Sequence, residues 1–167
     1  MWGGYVDAIK KGEIAPSAKP EIIKQSGSSM MVSGNWTFGQ VAAQFATERT
    51  IDLAREHGIA VTGLVQVHHI GRLGHYPEMA ARAGMISMVW AGGYGEVKPA
   101  ATPYGDRERW LHTNPISMGF PSGGETPTMF DFATTTISGV KVDNARRRGE
   151  PLPAGCIVDS DGRPTTD

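Results

Sequence analysis

Residues 37–67 restrict the fold more than any other stretch. Thr37-Phe38-Gly39-Gln40 has capping-box spacing, with a hydroxyl and an amide set to satisfy the free N–H groups of a helix start. Phe38, Val41, Ala42, Phe45, Ala46 and Leu53 then fall on one face at helical period, and Gly58 supplies the stop after His57. Ile59 to Val67 follows after one glycine as a β-rich run long enough for a buried strand. A helix that runs straight into a strand must cover its apolar stripe with a sheet, so the class expected is α/β.

The flanking segments fit that class. Residues 5–11 read as helix turns stopped by Gly12, and 19–25 with 30–33 as a hairpin around Gly27-Ser28-Ser29. Pro77 suits the first turn of a helix carrying Met79, Ala80 and Ala83 before Gly84. Strands are expected at 85–91, 116–120, 128–132 and from 156, and a basic-ended helix at 141–148. Residues 92–112, dense in glycine, proline and charge, read as a long ordered loop. The whole chain, 1–167, is expected to be a single domain.

Charge and composition remove several function classes. Sixteen basic and seventeen acidic residues leave a net charge of -1, so no positive field exists to hold nucleic acid or an anionic membrane. No apolar run reaches the length of a membrane span, and the first residues do not form a signal peptide. The lone Cys156 cannot form an internal disulfide, which suits a reducing compartment such as the cytoplasm. Arg146-Arg147-Arg148 suits the negative dipole end of a solvated helix better than a phosphate site.

The densest polar cluster is Val67-His68-His69-Ile70-Gly71-Arg72-Leu73-Gly74-His75-Tyr76 at the end of the predicted strand. Imidazole titrates near neutrality and can take and return the proton of a hydroxyl. Guanidinium binds a carboxylate in a planar fork, and glycines let backbone approach a ligand. The bland reading is that the adjacent histidines point to opposite sides, one packed and one wet. Three histidines also raise zinc, but no paired cysteines and no His-Glu-x-x-His accompany them, so no metal site is assigned.

No Gly-x-Gly-x-x-Gly joins a strand to a helix, and Gly92-Gly93-Tyr94-Gly95 is only a flexible turn. A dinucleotide, if bound, is held in some other way. His112-Thr113-Asn114-Pro115 reads as a polar turn. Asp131-Phe132-Ala133-Thr134-Thr135 ends a strand with an acid and two hydroxyls that can cap a helix or hold a ribose or amide.

Five segments taken in order carry a resemblance: His68-His69-Ile70-Gly71-Arg72-Leu73-Gly74, Pro103-Tyr104-Gly105-Asp106, Thr113-Asn114-Pro115, Phe130-Asp131-Phe132-Ala133-Thr134 and Asp161-Gly162-Arg163-Pro164-Thr165-Thr166-Asp167. Together they resemble the malate/L-lactate dehydrogenase family of the second type, which includes ureidoglycolate, sulfolactate and hydroxycarboxylate dehydrogenases and some cyclic imine reductases. The resemblance covers essentially the whole chain.

The resemblance implies a non-Rossmann mixed sheet flanked by helices, NAD or NADP as cofactor, a homo-oligomer such as a dimer, and oxidation of a small 2-hydroxy acid to the 2-oxo acid. It places His69 as proton acceptor or substrate orienter. Gly71, Arg72, Leu73, Gly93, Phe130, Asp131, Phe132 and Ala133 would lie along the cofactor, Gly93 standing where some members have a serine. Arg72, Thr113 and Asn114 would meet the substrate. Family members carry a Ser-His-Gly segment before the position of Tyr5 and continue past Thr-Thr-Asp, so the chain is expected to be truncated at both ends relative to the family. Two other readings compete with an enzyme fragment: a non-catalytic dinucleotide-binding or subunit-interaction piece, and a zinc hydrolase using the three histidines.

Overall fold

The computed structural model describes residues 2–93 and 99–166. Tyr94 and Gly95, within the flexible turn expected after the fourth strand, lie outside the described residues. The chain divides into two compact units, Met1–Met88 with Met118–Met129 and Val89–Ser117 with Phe130–Asp167. The architecture is mixed α/β.

In the first unit, α1 (Trp2–Lys10) leads to a hairpin of β1 (Glu21–Ser26) and β2 (Ser29–Ser33). The hairpin turn is where the sequence predicts it, because Gly27 takes a left-handed φ of 52° that other residues resist. Helix α2 (Gly39–His57) follows, then β3 (Val61–Val65) and α3 (His75–Arg82). Strand β1 pairs antiparallel with β2, and β2 pairs parallel with β3, so this open sheet is mixed.

A parallel neighbour requires a crossover, and α2 supplies it. The helix packs on β2 and β3 and against α3. It ends where the sequence places the stop, with Gly58 in the left-handed region and its N–H bonded to Ala54 O. Met30, Val32, Ala46 and Leu53 form the core cluster, with Phe45, Ala60 and Leu64 packed against it.

Three expectations need correction. The cap position of α2 falls on Phe38, one residue past Thr37, so no side chain caps the helix, and the Gln40 amide bonds Tyr5. Val41 is 50% exposed while Ile51 is buried, so the covered stripe is rotated toward Ala42, Ala43, Ala46 and Leu53. The run from Ile59 is not a buried strand: β3 is the outer strand of its sheet, shorter than predicted, and Val61 is 66% exposed.

Strands β4 (Ser87–Trp90), β5 (Pro115–Phe120) and β6 (Thr128–Ala133) are hydrogen-bonded in that order. Their boundaries lie within a few residues of the predicted ones. In the second unit, α4 (Gly139–Arg148) ends on left-handed Gly149 with its three arginines in the last turn. The strand predicted from Cys156 is β7 (Ile157–Val158), which pairs antiparallel with β8 (Pro164–Thr165). Sequence periodicity did not signal β8, since two residues are too few to show one. Among the described residues no helix is long and apolar enough to cross a membrane.

Candidate functional site

His68 and His69 sit beyond the end of β3, on an irregular segment that reaches α3. The segment is pressed against the start of α2. A Cβ on Gly39 would lie 2.2 Å from His68 O and 2.3 Å from His69 O, so only glycine fits there. Gly71 turns the chain with a φ of 79°, and a Cβ on it would meet the Gln40 side chain at 3.4 Å. The first turn of α2 and the histidine segment therefore form one close-packed unit.

The two histidines differ in exposure, but both rings lie near one partner, Tyr5, so they are not sent to unrelated surroundings as opposite-facing strand residues would be. His69 is exposed, whereas His68 is half-buried and its Nδ1 is buried without a hydrogen-bond partner. Tyr5, from α1, joins them: its ring lies 6.1 Å from the His68 ring and 6.3 Å from the His69 ring, with Phe38 on its other flank. The Tyr5 hydroxyl is 2.9 Å from His69 Nδ1, and Gln40 Nε2 donates to the Tyr5 oxygen at 2.6 Å. Partial removal from water, and then the neighbouring His68, hold the His69 pKa below its usual 6.5. His69 is accordingly a neutral imidazole at pH 7, able to accept a proton or to orient an oxygen.

Arg72 lies three residues on and is exposed. Its Nη2 contacts Glu78 Oε2 at 2.8 Å, and Glu78 Oε1 also meets Arg82 at 2.9 Å. Hydrogen bonds from Arg72 and then Arg82 hold the Glu78 carboxyl below the usual carboxylate range. An anion approaching Arg72 thus meets a guanidinium that is already paired and can share its donors. Leu73 is 4% exposed, so its side chain belongs to the core and only its backbone is free to approach a ligand. Tyr76 donates its hydroxyl proton to Ile70 O and pins the segment, and burial, then nearby Tyr5, pushes the phenol up to about 12.

The remaining predicted residues belong to the second unit. Asn114 Oδ1 accepts a hydrogen bond from Thr134 at 2.8 Å, which ties the polar turn to the end of β6. Thr113 and Asp131 are exposed, as are Phe130 and Phe132, while Ala133 is half-buried. The Thr135 hydroxyl is buried and has no partner. Gly93 has a local role: a Cβ there would strike the His112 ring at 2.3 Å, so the position cannot carry a serine without moving that ring.

Sequence reasoning did not single out Tyr5 as a site residue, and it gave Gln40 the wrong partner. Tyr5 lies 64 residues from His69 in a short helix, and no spacing rule connects them. Gly39 had a detectable signal, a glycine inside a helix start, but its reason is a tertiary contact. Among the described residues no three His, Cys, Asp or Glu side chains stand together as a metal site, so the zinc reading has no ligand set there.

A family model described as malate/L-lactate dehydrogenase matches residues 1–167. Hydroxycarboxylate dehydrogenase B of Escherichia coli is 35% identical over 166 residues, which is 99% of this chain and 45% of the relative. The structure of sulfolactate dehydrogenase from Methanocaldococcus jannaschii superposes with a TM-score of 0.82 at 35% identity, over 98% of this chain and 46% of that one. The Δ1-piperideine-2-carboxylate reductase of Pseudomonas syringae superposes at 0.86 with 32% identity, over 98% and 48%. The chain spans about half the length of these relatives. It belongs to the malate/L-lactate dehydrogenase family.

Proposed function

We propose, taking membership of this family as the premise, that the chain serves an NAD(P)-dependent oxidoreductase acting on a small 2-hydroxy acid of the malate, lactate or hydroxycarboxylate type. The observation that carries the reading is His69, an exposed imidazole kept neutral at pH 7 and anchored through Nδ1 by Tyr5. A neutral imidazole with one nitrogen anchored is suited to take the proton of a C2 hydroxyl or to hold the C2 oxygen. Arg72 supplies the positive charge for a carboxylate or a cofactor phosphate, its donors shared with Glu78.

The second unit offers a donor set that fits a nicotinamide nucleotide. The unpartnered Thr135 hydroxyl and the Asn114 amide match ribose and carboxamide groups, and exposed Phe130 and Phe132 offer faces for a planar ring. Further proposed cofactor contacts are Gly93, Asp131 and Ala133 in the second unit and Gly71, Arg72 and Leu73 in the first, Leu73 by backbone alone; proposed substrate contacts are Thr113 and Asn114 in the second unit and Arg72 in the first. When bound, NAD or NADP supplies the hydride-carrying chemistry. A cytoplasmic homodimer is part of the same proposal, as is one domain over 1–167.

A fluorescence titration with NADH and NADPH, followed by cofactor consumption with a panel of 2-oxo acids, tests the reading. It is run on this chain and on the chain joined to the segments of hydroxycarboxylate dehydrogenase B that lie outside the match. Saturable binding with oxidation is expected, and His69→Ala should cut turnover by about 100-fold, the scale of a lost acid–base group. Binding without turnover in both forms points to the non-catalytic piece. Neither binding nor turnover in either form overturns the proposal.

A further inference from the structure

The contacts around His69 define more than its place. The Tyr5 oxygen accepts a hydrogen from Gln40 Nε2 at 2.6 Å, and the Tyr5 hydroxyl lies 2.9 Å from His69 Nδ1, within reach to donate its own hydrogen there. Donors and acceptors then run in one direction, amide to phenol to imidazole, and each bond polarises and strengthens the next. The alternative, with both Gln40 and an Nδ1–H donating to the phenol, leaves the phenolic hydrogen without this partner and breaks the sequence. A neutral imidazole whose Nδ1 accepts carries its proton on Nε2.

We infer that Tyr5, backed by Gln40, is a positioning residue that fixes His69 as the Nε2–H tautomer and leaves an N–H donor for the carbonyl oxygen of a 2-oxo acid. The inference rests on the proposed role of His69 and selects substrate orientation over proton acceptance for the resting site. The surroundings agree with it. Tyr5 is braced by Phe38 and His68, and Gln40 is held at the first turn of α2 by the glycine contacts at positions 39 and 71, so neither partner depends on a bound ligand for its place. His68 is the neighbouring titratable side chain whose charge acts on the imidazole, and Tyr76, which neighbours Tyr5, is committed to Ile70 O.

Long-range 1H–15N correlation spectra of the labelled chain at pH 8 read the tautomer directly, with neither cofactor nor substrate present. The wild type is expected to show a pyrrole-like Nε2 and a hydrogen-bonded, pyridine-like Nδ1 at His69. Tyr5→Phe keeps the ring packing, removes the hydroxyl and should move both resonances toward the mixture of a free imidazole. Gln40→Met should do so by less. In the turnover assay Tyr5→Phe should lower kcat/KM for the 2-oxo acid about tenfold, the effect of one hydrogen bond, and leave NADH affinity unchanged. A wild-type ring protonated on Nδ1, or resonances unmoved by Tyr5→Phe, overturns the inference alone. A failed nicotinamide titration overturns the oxidoreductase reading, and with it the substrate half of this inference.

Discussion

The two units of this chain are built on different terms. In the first, Ala8, Ile14, Met30, Val32, Ala42, Ala43, Ala46, Ile51, Leu53, Leu73, Tyr76, Ala80 and Ala81 are buried around the helix–sheet layer. In the second, among the described residues, Leu152 is the one buried hydrophobic and Ser117 the one buried polar side chain, and α4 buries none of its residues. The second unit is held largely by backbone geometry: the Ala101–Leu111 bridge, the Asp106 carboxylate on the Arg107 and Glu108 N–H groups, and Asp159 on the Asp161 and Arg163 N–H groups. Apolar burial is the main stabilising term in folding, so the histidine segment belongs to the stiff unit and the proposed nucleotide segment to the soft one. A proton-handling group needs fixed geometry. A nucleotide-binding strand can be ordered further by what it binds.

Glycine substitutions offer the sharpest way to break this contrast. Gly39→Ala drives a methyl into the His68 and His69 backbone and should cost about 3 kcal/mol or more in urea unfolding. Gly139→Ala, at the start of α4 with nothing within 4 Å of its added carbon, should instead change stability by less than about 1 kcal/mol, in the stabilising direction. If the two variants behave alike, the close approach at position 39 is not what shapes the segment. Val32→Ala, at a fully buried position in β2, should cost about 2 kcal/mol.

Amide exchange measures the contrast without mutation. Protection should be highest in α2 and β2 and markedly lower in α4, β7 and β8. Equal protection in both units would remove the distinction.

The pH dependence follows from the direction of the His69 shift. Its folded pKa lies below 6.5, so the unfolded chain binds more protons between the folded value and 6.5, and stability rises with pH through that window. Acidification from pH 7 should therefore weaken the fold from about 6.5 downward, and His69→Gln should flatten that part of the profile. Glu78, whose folded pKa is also lowered, works in the same sense over a more acidic window: its contribution is present above the unfolded carboxylate range and is lost as pH falls through the folded value. Because Glu78 bridges two exposed guanidiniums, Glu78→Gln should give the smallest change of the set, visible mainly as a reduced salt dependence of the unfolding midpoint.

Much of this molecule was legible before any coordinates. The end of α2 at Gly58, the hairpin around Gly27, the αL stop at Gly149 and strands near 115–120 and 128–133 follow from local chemistry: a residue able to take positive φ, or a period matched to helix or strand. The order of the His-His-Ile-Gly-Arg, Thr-Asn-Pro and Phe-Asp-Phe-Ala-Thr segments carried the family, which the match over 1–167 bears out. The candidate proton-handling residue was visible too, as an imidazole in a glycine-rich strand end.

What the sequence could not carry was partnership. Thr37 and Gln40 have capping-box spacing, yet the Gln40 side chain turns to Tyr5, 35 residues away, and donates to its oxygen instead of accepting from the backbone N–H of the helix start, and the box does not form. The run after Gly58 has the composition of a buried strand, but its burial depended on how many strands flank it, and β3 is an edge. Local propensity is set by a residue's own backbone and rotamers, so the linear order of residues is enough to specify where helices stop and turns form. Which nitrogen of His69 is held, and by what, is set by α1, α2 and the histidine segment meeting in space, and only the tertiary structure brings those three together.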